Sequence, residues 1–322
     1  MGRRRRGEKV GLFPRINFPT YAAPRVSVII PAASTPELLG ACLDSLARFG
    51  CRHIPFETIV VLNEASRDFE AGLREAVTGM EVVASPVNLG MAGSGNRGRS
   101  LARGEFLVTL HDDAEIEPGW LEALVETADA HPEAGAIGGK AILPDGRLQH
   151  AGFILWRDCS SSPPWVGRAP APTAFDRLRP VDFCGSSSLL VRATAWDTGG
   201  GLDERFYPAY YVDTDLCMAL RQHRFIVLYQ PASRIRHHQS ASTTPRFREF
   251  LVKHNRQLFL EKWGATLGDH EPREKNLPAA IERALARAEA FAELCRSEGI
   301  VATDPPPKRV PFDLVEQERR HF

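Results

Sequence analysis

Three groups of residues in this chain have types and spacings that chemistry could use. The first is His111-Asp112-Asp113, which ends the apolar run Phe106 to Leu110. Adjacent carboxylates repel, and their pKa values are pushed apart unless a cation sits between them and a ligand. Taken alone, an Asp-Asp pair is more often a solvated strand-end turn. The second group gives it company: Asp213, Asp215, His237 and His238. Carboxylate oxygen with imidazole suits a divalent cation such as Mn²⁺ or Mg²⁺ that also holds phosphate oxygens. The plain alternatives are a surface His-His loop and a helix start, with Asp213 or Thr214 as N-cap and Asp215 favoured by the helix dipole. The third group, GSGNRG at 93–98, satisfies GxGxxG, with Asp112 and Asp113 close to the offset of a ribose-binding acid. That dinucleotide reading is set aside. The fingerprint needs a strand ending at its first glycine, and PVNLGMA intervenes after MEVVAS.

The elements that must position these residues follow from periodicity. RVSVIIP (25–31), FETIVVLN (56–63), MEVVAS (80–85) and Phe106 to Leu110 read as buried strands. Between them lie helices over 36–49, 68–77 and the glycine-opened stretch after PVNLG. Strand–helix alternation of this kind predicts an α/β fold with a mostly parallel sheet and helices on both faces. Carboxylates at the carboxyl end of a strand then sit where open α/β sheets bind ligands. Beyond a helix beginning near Trp120, strands are predicted at 134–143, within 181–200 (followed by a short helix) and at 225–231. His237 follows the last of these closely enough to return to the sheet end that carries Asp113. Residues 157–180 read as one long loop, and loops of that length in compact domains tend to be functional or mobile. From Arg246 the pattern becomes helical. The expected organisation is a basic lead-in over 1–24, an α/β unit over 25–245 and a helical C-terminal extension over 246–322.

Composition narrows the function classes. Lys plus Arg equals Asp plus Glu at 40 each, so no net charge favours nucleic acid as a partner. The six cysteines are scattered without a CxxC pair, which argues for a reducing, cytoplasmic setting and against a zinc cage or disulfide framework. No apolar run reaches membrane-spanning length, and no signal peptide is visible. Arg3 to Arg6 read as a solvated segment. The sharper reading is a weak peripheral contact with anionic lipid at the inner membrane face.

Taken together and in order, RVSVIIP, FETIVVLNEAS, SPVNLGMAGSGNRGRSLARGEFLVTLHDDAEIEPGWLEAL, GAIGGKAILPDGRLQHAGF, FCGSSSLLVR, GGLDERFYPAYYVDTDLCMALR and SRIRHHQSAS resemble a family 2 glycosyltransferase of the GT-A type, rhamnosyltransferase-like, over residues 25–245. The resemblance implies a mostly parallel sheet flanked by helices, and transfer of a sugar from a UDP-, dTDP- or GDP-linked donor. The acceptor is a saccharide or lipid-linked hydroxyl, and the transfer proceeds with inversion and metal assistance. It makes Asp113 a metal ligand, completed by His237 with His238 as understudy, and turns Asp112 toward the donor. Asp213 becomes the catalytic base. Pro31, Asn63, Asn88, Gly90, Asn96 and Arg97 fall where the nucleotide is held, and Gly185 and Ser186 fall in a strand segment beside the acceptor.

The chain departs from that pattern at named positions. Ala32 and Ala33 stand where a Tyr-Asn type pair is common, and Leu62 where an aspartate often reads the base, with Glu64 near enough to substitute. Val212 replaces a glutamate, and His111 stands where Asn or Asp is usual. Two other readings follow: a metal-dependent sugar-nucleotide phosphohydrolase, and a catalytically weak or inactive nucleotide- or glycan-binding paralogue. On the transferase reading Asp213 precedes the helix, and Tyr210 and Tyr211 are placed to stack on a sugar ring. Asp215, one residue inside the apolar-periodic stretch, is structural.

Overall fold

The computed structural model describes residues 12–299 apart from 34, 52, 166, 168, 170 and 240–243, so Arg3 to Arg6 lie outside the described residues. In chain order the elements that build the site are β1 (Val26–Ala32), α1 (Pro36–Phe49), β2 (Phe56–Asn63), α2 (Arg67–Ala76), β3 (Glu81–Ser85), α3 (Gly90–Arg99), β4 (Phe106–Leu110), β5 (Ala114–Ile116), α4 (Trp120–Ala130), β6 (Ala134–Ile142) and β7 (Leu148–His150). There follow β8 (Arg179–Pro180), β9 (Ser188–Arg192), α5 (Ala193–Thr198), α6 (Val212–Gln222), β10 (Ile226–His237), α7 (Pro245–Trp263) and α8 (Leu277–Glu298).

These strands form one sheet in the order β8-β10-β6-β9-β4-β1-β2-β3, with β5 added on β10 and β7 on β6. β1 is parallel to β2 and β4, β2 to β3, and β6 to β10. β9 is antiparallel to both β4 and β6. The sheet is covered on both faces, so its central strands read as continuous apolar runs. Successive side chains still alternate between the faces. Val26, Val28 and Ile30 of β1 join Phe106, Val108 and Leu110 of β4 in one core with α1 and α4, while Ile29 and Leu107 point into the other with α5, α6 and α7.

Local chemistry accounts for the boundaries. Pro36 occupies the first turn of α1, and its Leu39, Cys42, Leu43 and Leu46 are fully buried. Gly119 takes φ +81° ahead of α4, a left-handed turn that a side chain would resist. In α3 the glycines serve packing. A Cβ on Gly98 would lie 2.3 Å from Ile29, and one on Gly95 2.5 Å from Leu202. The GSGNRG stretch therefore lies inside a helix and is no phosphate-cradling turn.

Two predicted boundaries change. β10 does not stop at Pro231. It shifts register between Gln230 and Arg234 and runs on to His237, a bulge accommodating the proline that lacks a ladder donor. Residues 157–180 carry short pieces of structure at Ser161–Ser162, Pro172–Phe175 and Arg179–Pro180. The C-terminal helices also join the body of the molecule: Phe259 and Trp263 of α7 sit in one core and Ala292 and Cys295 of α8 in the other. The buried Asp182 takes two 2.9 Å bonds from Arg287 of α8. Among the described residues no helix is long and apolar enough to cross a membrane, and all six cysteines are free and buried.

Candidate active site

The carboxyl ends of β1, β2, β4, β6 and β10 share one edge of the sheet, and β9 begins there because it runs the other way. Ser188 opposes Leu110, so the turn at 185–187 faces His111 to Asp113; the His111 amide donates to the Ser187 carbonyl at 3.2 Å. Gly185 and Ser186 are thus in the turn before β9 and not in the strand, because ladder pairing starts only at Ser188. On the other side, His237 pairs with Ala114 of β5, which sets its ring against Asp113.

The result is a compact cluster. His237 Nε2 lies 3.0 Å from Asp113 Oδ1, and His111 Nδ1 lies 3.9 Å from the same oxygen. One ligand atom from each of His111, Asp113 and His237 falls within 4.8 Å of the other two. Burial and the neighbouring His237 push the His111 imidazolium down to about 4, so the ring is neutral at neutral pH. Two imidazoles and a carboxylate converging in a partly dry site are a donor set that fits a divalent cation. Asp112 turns the other way, and its Oδ2 accepts from the Ala33 amide at 2.8 Å, tying the end of β1 to the end of β4. His238 does not share the cluster; its Nε2 meets Glu115 Oε1 at 2.6 Å.

Asp213 approaches the cluster through Ser186, whose amide donates to Asp213 Oδ2 at 3.1 Å while its hydroxyl lies 3.3 Å from His111 Nε2. Asp213 Oδ1 accepts from the Thr214 amide at 2.8 Å. Burial raises the Asp213 carboxyl above its ordinary range despite these amide bonds. Asp213 does not precede α6. The helix starts at Val212, because Tyr210 and Tyr211 take φ of +72° and +65° and turn the chain abruptly. Such left-handed tyrosines are strained by about 1–3 kcal/mol each. α7 holds them: Asn255 Nδ2 donates to the carbonyls of Ala209 and Tyr210, and Arg248 Nε to Tyr210 Oη. Tyr211 is no sugar platform; it is buried, with its hydroxyl donating to the Cys159 carbonyl. Asp215 is 1% exposed and accepts from Lys262 and from Trp263 Nε1 at 2.7 Å, so it anchors α7 and faces away from the site.

The remaining candidates divide. Pro31, Asn63, Asn88 and Gly90 gather at the ends of β1 and β2 and the start of α3. There Asn63 Oδ1 accepts from the Leu89 amide and the Ser94 hydroxyl, and Asn88 Oδ1 from the Gly90 amide. Glu64 is exposed just past β2, its φ at +54°. Asn96 instead grips the Leu202 backbone and Glu204, and Arg97 is exposed in the last turn of α3, so these two are not brought to the cluster. Gln149, whose Oε1 lies 3.0 Å from His237 Nδ1, and the bridging part of Ser186 emerge only in the fold.

Residues 27–150 match the family described as Glycosyl transferase family 2. The O-antigen biosynthesis protein RfbC of Myxococcus xanthus is 31% identical over 238 residues, covering 71% of this chain and 18% of that protein. The N-acetylglucosaminyl-diphospho-decaprenol L-rhamnosyltransferase of Mycobacterium tuberculosis is 30% identical over 167 residues, 48% of this chain and 54% of its own. The chain thus spans between about a fifth and a half of these two relatives. Mannosyltransferase PcManGT from Pyrobaculum calidifontis, solved in complex with GDP-Man and Mn²⁺, superimposes with a TM-score of 0.55 at 16% identity over 92% of this chain and 80% of that one. That likeness speaks for the fold, which is GT-A, as the sequence pattern led one to expect.

Proposed function

Residues 27–150 of this chain are a glycosyl transferase family 2 domain, and from that premise we propose that the protein transfers a sugar from a nucleoside diphosphate donor to an acceptor hydroxyl with inversion. The observation that carries this reading is the meeting, across Ser186, of a carboxylate of raised pKa with a His-Asp-His cluster at the carboxyl edge of the sheet. A nucleoside diphosphate leaves poorly unless its growing charge is neutralised. Asp113 and His237 would hold a divalent cation, Mn²⁺ or Mg²⁺, and such an ion would supply this neutralisation.

The acceptor hydroxyl titrates far above neutrality, so a base must take its proton as the C–O bond forms. Asp213 is that base. Its carboxylate is aimed by two backbone amides, and its partly dry surroundings make it more basic than an exposed aspartate. Asp112 faces the donor, and Pro31, Asn63, Glu64, Asn88 and Gly90 frame the nucleotide side of the cleft. Gly185 and Ser186 frame the acceptor side. The family resemblance implies a single displacement, and hence inversion. The acceptor is a saccharide or a lipid-linked sugar, as the name of the mycobacterial relative suggests.

The test is a thermal-shift screen of UDP, dTDP and GDP with and without Mn²⁺. A ligand at about 100 times its Kd raises apparent stability by about 2.7 kcal/mol. One nucleotide should raise Tm only when Mn²⁺ is present. Equal shifts after EDTA, or none with any nucleotide, would remove the reading.

A further inference from the structure

The two imidazoles of the cluster are each held from behind. His237 Nδ1 lies 3.0 Å from the Gln149 side-chain oxygen, which can only accept, so Nδ1 donates to it, and Nε2 faces Asp113 Oδ1 at 3.0 Å, close enough for the two atoms to share one cation. His111 Nε2 lies 3.3 Å from the Ser186 hydroxyl, leaving Nδ1 on the side of the same oxygen at 3.9 Å. The rings meet edge to face with centroids 5.3 Å apart. Gln149 stands on β7, beside the Ala141–His150 pairing that docks this strand on β6, so its position is set by the sheet.

We propose that His111 is a third protein ligand of the metal centre, making it a two-imidazole, one-carboxylate site that selects borderline first-row ions such as Mn²⁺ and Co²⁺ over Mg²⁺, with Gln149 as the positioning residue of His237. This rests on the cation-binding part of the function proposed above and deepens it. Carboxylate and water ligands suit Mg²⁺, which keeps several waters and demands near-ideal octahedral geometry. Each imidazole shifts preference toward transition ions, whose affinities rise from Mn²⁺ to Co²⁺. A carboxylate or amide at position 111 would leave a site with one imidazole. A histidine there gives two, and three protein ligands hold the ion without help from a nucleotide. The hydrogen bond behind His237 fixes tautomer and ring angle, and loss of such an outer partner weakens metal binding by on the order of 10–100-fold.

The experiment uses the full chain, freed of metal, with no nucleotide present. Mn²⁺ binding is read by electron paramagnetic resonance, Mg²⁺ by calorimetry, and Co²⁺ by its visible absorption. The wild-type chain should bind Mn²⁺ more tightly than Mg²⁺, and Co²⁺ more tightly again. His111→Asn should weaken Mn²⁺ and Co²⁺ by more than its effect on Mg²⁺, and change the Co²⁺ spectrum. Gln149→Leu should weaken Mn²⁺ by on the order of 10–100-fold, with Gln149→Glu, which keeps an acceptor, restoring most of it. Circular dichroism melts show that each variant is folded. Equal Mn²⁺ and Mg²⁺ affinities, or a His111→Asn chain with an unchanged Mn²⁺ to Mg²⁺ ratio, overturn the inference. So does Mn²⁺ that binds only together with a nucleoside diphosphate, a result that leaves the proposed function standing. An absence of Mn²⁺ binding with or without nucleotide removes both.

Discussion

Replacing Asp213 by Asn tests the proposed base at a single oxygen. The wild-type carboxylate accepts the Ser186 amide on one oxygen and the Thr214 amide on the other. An asparagine keeps one acceptor and turns an NH₂ toward the second N–H. The loss of that bond destabilises by about 1–3 kcal/mol, partly offset because a charge held in dry surroundings is no longer buried. The fold therefore survives. Turnover should fall by about two to four orders of magnitude, the usual worth of a positioned base, or about 2.7–5.5 kcal/mol of barrier. The assay follows release of the nucleoside diphosphate and appearance of the glycosylated acceptor, with donor affinity measured separately. Affinity should stay near wild type. The wild-type rate should fall in acid with an apparent pKa above the ordinary carboxylate range, and the residual rate of the variant should lose that limb. A variant that turns over at near-normal rate, or whose loss matches its fraction unfolded, would refute the assignment.

Asp113→Ala should abolish metal-dependent donor binding in a chain that circular dichroism shows still folded; nucleotide affinity unmoved by both EDTA and this change would remove the metal role. Asp215→Asn should leave kcat close to normal but lower stability by about 1–3 kcal/mol, read by urea unfolding, because Lys262 is partly exposed and keeps its 2.9 Å bond to Asp203. Stability should also respond to acid through His150. Burial, then the nearby His237 and His111, push its pKa down to about 3, against about 6.5 in the unfolded chain. The unfolded state then binds more protons between those values, so stability falls as pH drops through that window. His150→Gln should flatten the trend of Tm with pH, and an equally steep trend would assign it elsewhere.

Much of the fold was legible in the sequence, because buried parallel strands announce themselves as apolar runs. β4 was read at its observed ends, Phe106 and Leu110, and with it the carboxylates at its carboxyl edge. What was not legible depended on contacts far apart in the chain. The sequence pattern ends β10 at Pro231 because a bulge that tolerates proline is set by the partner strand, where Gly139 lets Ser233 approach closely. The sequence pattern starts the helix carrying Asp213 too late because two tyrosines occupy a conformation they resist, held there by α7 more than thirty residues on. Order along the chain groups Asn96 and Arg97 with the nucleotide. A helix rises about 1.5 Å per residue, which carries them roughly 10 Å from its start at Gly90. Gln149 gives no signal in the sequence, since a lone glutamine acquires meaning only when its neighbour across the sheet edge is a histidine of the His-Asp-His cluster.

The most direct test of the account is transfer itself. The full chain is incubated with a panel of UDP-, dTDP- and GDP-sugars and Mn²⁺, with and without saccharide and lipid-linked acceptors, and products are identified by mass spectrometry and NMR. The account predicts an acceptor-dependent product of inverted anomeric configuration, lost on addition of EDTA. Acceptor-independent hydrolysis of the sugar nucleotide, or nucleotide binding without turnover on any acceptor, would contradict it.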